Sequence, residues 1–379
     1  MSEIEIDAQT LCSEYLFGHA EVEPGEHGGL LPHRLPAAAR AQCDDPLFRW
    51  VEASPAGVRL RLRTAASRIE LRLAITAREP SGRPVVVPRL TLRDGDSVTV
   101  LEPERYCVQV EDAQGNTTLR RSEPALLVIE RAAREELLEL LLPHHSLTEL
   151  ISLRADAELT PAPVPQLPRW IHHGSSISHC FESPSPDRAW PAQVARSMGW
   201  ELRDLSLAGN AQLDPFVARF IRDTPAELIT LKLGINVING DTMRRRAFGP
   251  AVHGFIETIR EGHPHTPLVV ITAISCPIVE RTPGPVYFEH GRFRAATREL
   301  SLDDGALTLE DTRELVGEAV LARSADPNIH LLDGLELFGH ADAHLLCDDL
   351  HPDQRGYDLI AQRFIEKLPV APRALGGPA

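Results

Sequence analysis

The second half of the chain alternates short apolar runs with amphipathic segments, and this alternation restricts the possible folds more than any other feature. The run at residues 268–272 is almost continuously apolar, which is typical of a central strand covered on both faces. Strand-like and helix-like segments in alternation predict a parallel sheet with helices on both faces. The predicted strands are residues 168–173, 205–208, 228–233, 268–272 and 329–332. The predicted helices are residues 190–198, 248–260, 308–323 and 354–368.

The first half has a different pattern, in which apolar and polar residues alternate with a period of two. This period predicts half-buried antiparallel strands, and the basic residues among them are interpreted as a solvent-exposed face. The clearest runs are residues 58–63, 69–75 and 90–93. Residues 135–142 fit either a helix or a strand. Prolines at positions 161, 163, 165 and 168 indicate a stiff hinge. We therefore predict a β-sandwich over residues 1–165 and an α/β domain over residues 166–379.

A cluster of small residues follows the first predicted strand of the α/β domain. Gly174, Ser175 and Ser176 lie between this strand and the next predicted helix. Such a turn exposes a hydroxyl at the carboxyl edge of the sheet, where open α/β sheets bind ligands. The amides of a helix N-terminus favour an anion there. A glycine-serine turn alone is common, so this cluster indicates an active site only in combination with the sequence features described below.

Two further glycine turns follow predicted strands and are expected at the same sheet edge. Gly209 follows residues 205–208, and Gly234 follows residues 228–233 with Asn236 two residues later. Both glycines are also compatible with ordinary strand-to-helix turns. A backbone amide and an asparagine side chain at this edge could donate hydrogen bonds to an oxyanion.

The last piece is the loop that holds Asp348, Asp349 and His351. A serine hydroxyl is a poor nucleophile at neutral pH and needs an imidazole, whose tautomer and cation a carboxylate stabilises. The spacing alone leaves both aspartates open as that carboxylate. Together, the four pieces supply what acyl transfer through a covalent intermediate needs.

In order and residue type, these pieces resemble the SGNH superfamily, also called GDSL-type esterases and lipases. The resemblance covers residues 168–370 and implies a three-layer, flavodoxin-like domain. It implies Ser176 as the nucleophile, His351 as the base and Asp348, three residues earlier, as the acid. Asp349 is then expected to face solvent or to cap a backbone amide. The implied oxyanion donors are the N–H groups of Ser176 and Gly209 and the side-chain amide of Asn236.

The chain departs from the family pattern at two positions. Ser175 stands where the family usually has an aspartate before the nucleophile, and Val237 replaces a frequent aspartate after the asparagine. Neither change removes the attacking hydroxyl. Cys180 and Cys347 lie close in sequence to the serine and histidine loops, so a Cys–His pair is a weaker alternative. A zinc site is another minor alternative; its candidate ligands are His172, His173 and His179.

Residues 279–302 interrupt the α/β alternation and contain Tyr287 and Phe288 beside basic Arg292, Arg294 and Arg298. An insertion of this length in a compact domain is usually functional or disordered. It is interpreted as a lid or a wall of an acyl pocket, with an ordinary loop as the equal alternative.

Composition excludes several classes of partner. The net charge of −15 argues against a nucleic-acid groove or an anionic membrane surface. No run approaches the roughly 20 apolar residues that a membrane span needs. The acidic amino terminus shows no signal peptide, and the six cysteines lack metal-finger spacing. We therefore expect a cytoplasmic protein with free thiols and no cofactor.

The expected function is hydrolysis of a small acyl ester, such as an acetyl ester of a sugar or secondary metabolite, with that small molecule as the expected partner. The acetyl and sugar preference is implied by the resemblance, because a jelly-roll domain before an SGNH domain is similar to carbohydrate esterases. One alternative is an acyltransferase that uses the same serine. The other is a binding protein whose hydrolase site has decayed. All candidate site residues follow Trp170, so the first half is expected to contribute none.

Overall fold

The computed structural model describes residues 4–164, 166–298 and 304–370. Pro165 of the predicted hinge and residues 299–302 of the predicted insertion lie outside these ranges. The chain divides into two compact units. The first unit is Met1–Arg40, Arg49–Pro165 and Pro184–Asp187, and the second is Ala41–Phe48, Gln166–Ser183 and Arg188–Ala379. No helix in the described ranges is long and apolar enough to cross a membrane.

The first half of the chain consists mainly of strands, as the period of two predicts. The strands are β1 (Ile4–Asp7), β2 (Leu16–Phe17), β3 (Glu21–Pro24), β4 (Leu30–His33), β5 (Arg59–Thr64), β6 (Arg68–Glu79), β7 (Leu90–Asp94), β8 (Ser97–Leu101), β9 (Cys107–Glu111), β10 (Thr117–Arg120), β11 (Ala125–Glu130), β12 (Glu136–Leu141), β13 (Leu147–Ala155) and β14 (Leu159–Pro161). The helices are α1 (Ala8–Thr10), a π-helical turn at Leu11–Tyr15, α2 (Ala37–Arg40) and α3 (Pro46–Ala53).

These strands form two sheets that make a β-sandwich. The larger sheet has the order β10-β9-β6-β13-β4-β3, with β1 beside β13 and β11 beside β6. The smaller sheet has the order β14-β5-β12-β7-β8, with β2 beside β5. Leu60 and Leu62 of β5 and Leu71 and Leu73 of β6 are buried in one shared core. Residues 135–142, which fitted either a helix or a strand, contain strand β12, which pairs with both β5 and β7.

Three arginines of the smaller sheet differ from the predicted solvent-exposed face, whereas Arg63 is exposed. Arg59, Arg61 and Arg93 surround Glu139, with N–O distances of 3.1, 3.6 and 2.7 Å. Burial would raise the pKa of Glu139, but the three guanidinium groups hold it below its usual value. These charges therefore form a partly buried ion-pair cluster around one carboxylate. A pattern of period two shows that they share a face but not what covers that face.

The second half of the chain is an α/β domain, as predicted. Its strands are β15 (Arg169–His173), β16 (Glu201–Asp204), β17 (Leu228–Lys232), β18 (Leu268–Ile271), β19 (Val286–Glu289), β20 (Arg292–Ala295) and β21 (Ile329–Leu332). Its helices are α4 (Ser176–His179), α5 (Trp190–Met198), α6 (Pro215–Asp223), α7 (Ile235–Asn239), α8 (Arg245–Gly262), α9 (Leu309–Leu321), α10 (Gly334–Leu337) and α11 (Gln354–Lys367), with 3₁₀ turns at Pro186–Arg188 and His340–Leu345.

The main sheet of this domain is parallel and has the order β16-β15-β17-β18-β21. Counted along the chain, this is the order 2-1-3-4-5 of flavodoxin-like sheets. Helix α5 packs against α11, whereas α8 packs against α6 and α9. The sheet thus lies between two helical layers, and the carboxyl ends of its strands share one edge. The strand order reverses at β15, so the turn after β15 lies where such folds bind ligands.

One predicted strand is misplaced. The strand expected at residues 205–208 ends four residues earlier, because β16 covers Glu201–Asp204. The carboxylate of Asp204 accepts a hydrogen bond from the N–H of Ser206 at 2.8 Å, which turns the chain. The N–H groups of Leu205 and Leu207 still donate to the carbonyls of His172 and Gly174. The apolar run is buried because it follows the edge of β15, although it is not a strand.

Candidate active site

Ser176 lies at the turn between β15 and the short helix α4. It is the first residue of α4, so its N–H belongs to the first-turn amides that have no partner within the helix. Ser175 caps the helix, and its hydroxyl accepts a hydrogen bond from the N–H of Ile177 at 3.3 Å. The residue that replaces the usual aspartate therefore has a local structural contact. A side chain at Gly174 would meet Ser178 Oγ at 2.5 Å, which explains the glycine before the turn.

His351 connects this serine to a carboxylate. Its Nε2 lies 2.9 Å from Ser176 Oγ, and its Nδ1 lies 2.8 Å from Asp348 Oδ2. The other oxygen of Asp348 accepts from the N–H groups of His351 at 2.7 Å and Leu350 at 3.1 Å. With Nδ1–H donating to Asp348, the free lone pair of Nε2 accepts from the serine hydroxyl. The structure thus brings the three residues together in the order serine, histidine, aspartate.

The charge of Asp348 is stabilised where it lies. Burial would raise the pKa of Asp348, but the hydrogen bond and the charge of His351, with the two loop amides, hold it below its usual value. Asp348 is therefore ionised at neutral pH and accepts from Nδ1–H. This arrangement fixes the tautomer that leaves Nε2 free to take a proton.

The carboxylate of Asp349, expected to face solvent or to cap a backbone amide, is partly exposed and pairs with two arginines. Asp349 has a φ of +68°, in the left-handed region that aspartate tolerates. Its two carboxylate oxygens lie 2.7 Å from Arg292 and 2.6 Å from Arg294. Because both arginines lie on β20, Asp349 connects the histidine loop to the inserted segment, whereas Asp348 contacts the imidazole of His351.

The inserted segment contains a β-hairpin that packs on the histidine loop. Strands β19 and β20 pair in antiparallel register, and the N–H of Phe293 in β20 donates to the carbonyl of Asp348 at 2.9 Å. The Phe293 ring lies edge-on to the imidazole of His351, with 5.4 Å between ring centroids. The described part of the insertion is therefore ordered against the loop. Its role as a lid or pocket wall remains a prediction.

Asn236 presents an unpaired donor. It lies in the first turn of α7, and its Oδ1 accepts a hydrogen bond from the N–H of Ala211 at 3.1 Å. Within the described ranges, its Nδ2 is buried and has no hydrogen-bond partner. A buried unsatisfied donor costs about 1–3 kcal/mol, so it needs an explanation. An oxygen of a bound substrate would satisfy it.

Gly209 lies on the loop that Asn236 holds through Ala211. Its φ is +73°, in the region that favours glycine, and an added Cβ would lie 3.2 Å from Leu47 Cδ2. A glycine is therefore needed here for backbone conformation. Its role as an oxyanion donor remains a prediction. Val237, the second departure from the family pattern, is fully buried in the core.

Two residues near His351 carry no motif in the sequence. Glu182 Oε1 lies 3.4 Å from His351 Nδ1, and Glu182 Oε2 accepts from the hydroxyl of Tyr357 at 2.9 Å. Glu182 follows α4 in a polar stretch, and Tyr357 lies on an inner position of α11. No local pattern marks either of them, since their proximity results from the packing of distant segments.

The alternative nucleophiles and metal ligands are not arranged for those roles. Burial raises the pKa of Cys180 well above its usual value, and burial with nearby carboxylates raises the pKa of Cys347 to about 12, so little thiolate forms at neutral pH. The histidines considered as zinc ligands are engaged in other contacts. His172 Nδ1 forms a hydrogen bond with Thr230 Oγ1, and His173 Nδ1 forms one with the backbone carbonyl of Leu205. In the described part of the chain, three possible ligand atoms converge within 4.8 Å only at Glu182, Asp348 and His351.

Comparison with known proteins identifies the domain that contains these residues. The family model for GDSL-like lipases and acylhydrolases matches residues 173–359. The match begins at the end of β15 and continues into α11, so it includes the serine turn and the histidine loop. The second domain is a GDSL-like lipase/acylhydrolase domain. This match supports a carboxylic ester hydrolase activity for the second domain.

Solved structures extend the likeness to the whole chain. The salicylyl-acyltransferase SsfX3 from a tetracycline biosynthetic pathway is 27% identical, with a TM-score of 0.80, and the alignment covers 99% of this chain and 98% of SsfX3. A protein from Bacteroides ovatus classed as a GDSL-like lipase is 19% identical, with a TM-score of 0.68 over 100% and 99% of the two chains. An acetyl xylan esterase from the rumen bacterium Butyrivibrio proteoclasticus is 10% identical, with a TM-score of 0.54 over 97% and 98%. The two more distant likenesses establish the fold only. A search of curated protein sequences finds no significant match.

Proposed function

We propose that the GDSL-like domain hydrolyses a small acyl ester through an acyl-enzyme formed on Ser176. The observation that supports this most directly is the unbroken contact from Ser176 Oγ to His351 Nε2 and from His351 Nδ1 to Asp348. A binding protein whose hydrolase site has decayed would have no use for this chain of contacts, because each contact orients one catalytic group toward the next. The N-terminal β-sandwich and the whole-chain likeness to an acetyl xylan esterase favour an acetyl ester of a sugar or secondary metabolite as substrate.

The reaction runs in two halves. Ser176 Oγ attacks the ester carbonyl while its proton moves to His351 Nε2, and the carbonyl oxygen becomes an oxyanion. The N–H groups of Ser176 and Gly209 and the Asn236 amide donate to that oxygen. When the tetrahedral intermediate collapses, the C–O bond to the alcohol breaks and His351 returns the proton to the leaving oxygen. Water then attacks the acyl-enzyme with the same base, which releases the acid and restores Ser176.

Acyl transfer is the second candidate function, and a specific observation favours it. SsfX3, a salicylyl-acyltransferase, is 27% identical over nearly the entire length of both chains. The first half of the reaction would be the same. In the second half, an alcohol instead of water would attack the acyl-enzyme, and the new ester would leave.

The two functions predict different products. We expect para-nitrophenyl acetate to be turned over faster than esters of longer acids, with free acetate formed in step with nitrophenol even when sugars or other alcohols are added. The measurement is chromatographic analysis of acid and ester products across a chain-length series, with Ser176→Ala as the blank. If added alcohols collect most of the acyl group as new ester, acyl transfer is the function and hydrolysis is a side reaction.

Asp348, rather than Asp349, is proposed as the acid that orients His351. We expect Asp348→Asn to lower kcat by about tenfold to a hundredfold, less than the ~10⁴ that such a change costs a serine protease. Asp349→Asn is expected to lower kcat less than about threefold, because the change leaves the Asp348–His351 contact in place. It removes two partly exposed ion pairs that contribute up to ~1 kcal/mol each to stability. The measurement is kcat of both variants under identical conditions.

The two aspartates serve as matched controls for each other, since both lie on one loop and receive the same isosteric change. Thermal unfolding of each variant checks that the loop stays folded. A larger kcat loss in Asp349→Asn, with Asp348→Asn near wild type, would show that the assignment is wrong.

A further inference from the structure

Two carboxylates converge on the same nitrogen of His351. Nδ1 lies 2.8 Å from Asp348 Oδ2 and 3.4 Å from Glu182 Oε1. All three side chains are largely buried, with exposed fractions of 7% for His351, 12% for Asp348 and 19% for Glu182. At this degree of burial, a charge beside an imidazolium is screened less by water than it would be at the surface.

The two carboxylates are held by different parts of the domain. Asp348 is fixed within its own loop, where its other oxygen accepts from two backbone amides. Glu182 comes from the segment after α4 and is fixed from α11 by the hydroxyl of Tyr357, which donates to Oε2 at 2.9 Å. Tyr357 is fully buried, and burial with the nearby Glu182 raises the pKa of its hydroxyl well above its usual value. The hydroxyl therefore keeps its proton and remains a donor.

This arrangement leaves Glu182 Oε1 free of the tyrosine contact and 3.4 Å from Nδ1. Two carboxylate oxygens therefore lie near Nδ1 on one side of the ring, while Nε2 on the other side faces Ser176. A metal bound by Glu182, Asp348 and His351 would need Nδ1 without its proton. That state would reverse the tautomer in which Nε2 accepts from the serine, so the three groups fit a shared proton better than a metal.

We propose that Glu182 is a positioning residue that shares the Nδ1 proton of His351 with Asp348 and stabilises the imidazolium during acyl transfer. The proposal rests on the proposed function of Ser176 and His351. When the serine proton moves to Nε2, the ring becomes a cation and Nδ1 keeps its own proton. That cation then faces two carboxylates. If Asp348 loses its charge, Glu182 still supplies one, which accounts for the moderate loss expected for Asp348→Asn.

A double-mutant cycle on Asp348 and Glu182 tests this sharing. We expect Glu182→Gln alone to lower kcat by about threefold to tenfold, because Asp348 still accepts from Nδ1–H. In the Asp348→Asn background, the same change should lower kcat by about a further hundredfold, since no anion then faces the ring. KM should stay within about twofold in all variants, because neither carboxylate is proposed to contact substrate.

The controls separate this role from a structural one. The side-chain carbonyl introduced by Glu182→Gln can still accept from the Tyr357 hydroxyl, so the packing with α11 is kept. Glu227→Gln is the matched control, because Glu227 pairs with Arg169 at 2.6 Å near the start of the sheet strands and should leave kcat unchanged. Tyr357→Phe should mimic Glu182→Gln more weakly, because it frees Glu182 without removing its charge.

A second readout needs no substrate. The Nδ1 proton of His351 should give a strongly downfield ¹H NMR resonance, assigned by its loss in His351→Gln. Glu182→Gln should shift this resonance, whereas Glu227→Gln should not. An unchanged resonance in Glu182→Gln, or equal losses of kcat for Glu182→Gln with and without Asp348, would overturn the proposal. If the wild-type protein turns over no ester, the proposed function fails, and the NMR comparison still decides whether Glu182 shares the proton.

Discussion

Replacing Ser176 by alanine is expected to lower kcat for ester turnover by a factor on the order of 10⁴ to 10⁶, as loss of a serine nucleophile does in a protease. The reason is that Ser176 Oγ is the hydroxyl within hydrogen-bonding distance of His351 Nε2, at 2.9 Å. Without it, the imidazole has no attacking oxygen to activate. The oxyanion donors and the fold remain, so a small residual rate over water is expected. Stopped-flow or steady-state release of nitrophenol from an acetyl ester provides the measurement.

Ser175→Ala is the matched control for this result. Ser175 is the neighbouring serine, but its hydroxyl caps α4 by accepting from the N–H of Ile177. Loss of a cap costs about 1 kcal/mol of stability and leaves the nucleophile in place, so kcat should fall no more than a few-fold. Fluorophosphonate labelling with peptide mapping should locate the label on Ser176. Labelling on Ser175, Ser178 or Cys180 would contradict the assignment of the nucleophile.

Replacing Asn236 by alanine is expected to lower kcat by about 10² to 10³, or ~3 kcal/mol of transition-state stabilisation, with little change in KM. The physical basis is the buried Nδ2, which has no partner among the described residues and is therefore already desolvated. A donor in that state gains most when charge develops on an oxygen in front of it. The measurement is kcat and KM for an acetyl ester.

Two further variants make the Asn236 test specific. Asn236→Asp keeps an oxygen that can accept from the N–H of Ala211 but removes the donor, so it should lose at least as much activity as Asn236→Ala. Asn239→Ala, on the same helix α7, is the matched control and should stay within about threefold of wild type. If Asn236→Ala also stays within that range, the amide is not an oxyanion donor.

The sequence predicted the α/β domain well because its signals are local. An apolar run at residues 268–272 can only be a covered strand or a buried helix, and its length selects the strand. The spacing of Asp348 and His351 also acts locally, since three residues let one loop close on itself and place the carboxylate against Nδ1. The prediction for residues 205–208 failed for the converse reason. A buried apolar run does not show whether the chain is a strand or only follows the edge of one.

The contacts that complete the site join segments with no pattern in common. Glu182 follows α4 and Tyr357 lies on α11, and the packing of these two segments brings their side chains into contact. Asp349 contacts Arg292 and Arg294 because the hairpin folds back on the histidine loop. The sequence by itself determined which strands end at one edge and which residues could attack, accept a proton or orient a base. Only the tertiary structure decided which charges face His351, because electrostatic and packing contacts depend on distance in space, and residue spacing along the chain does not fix that distance.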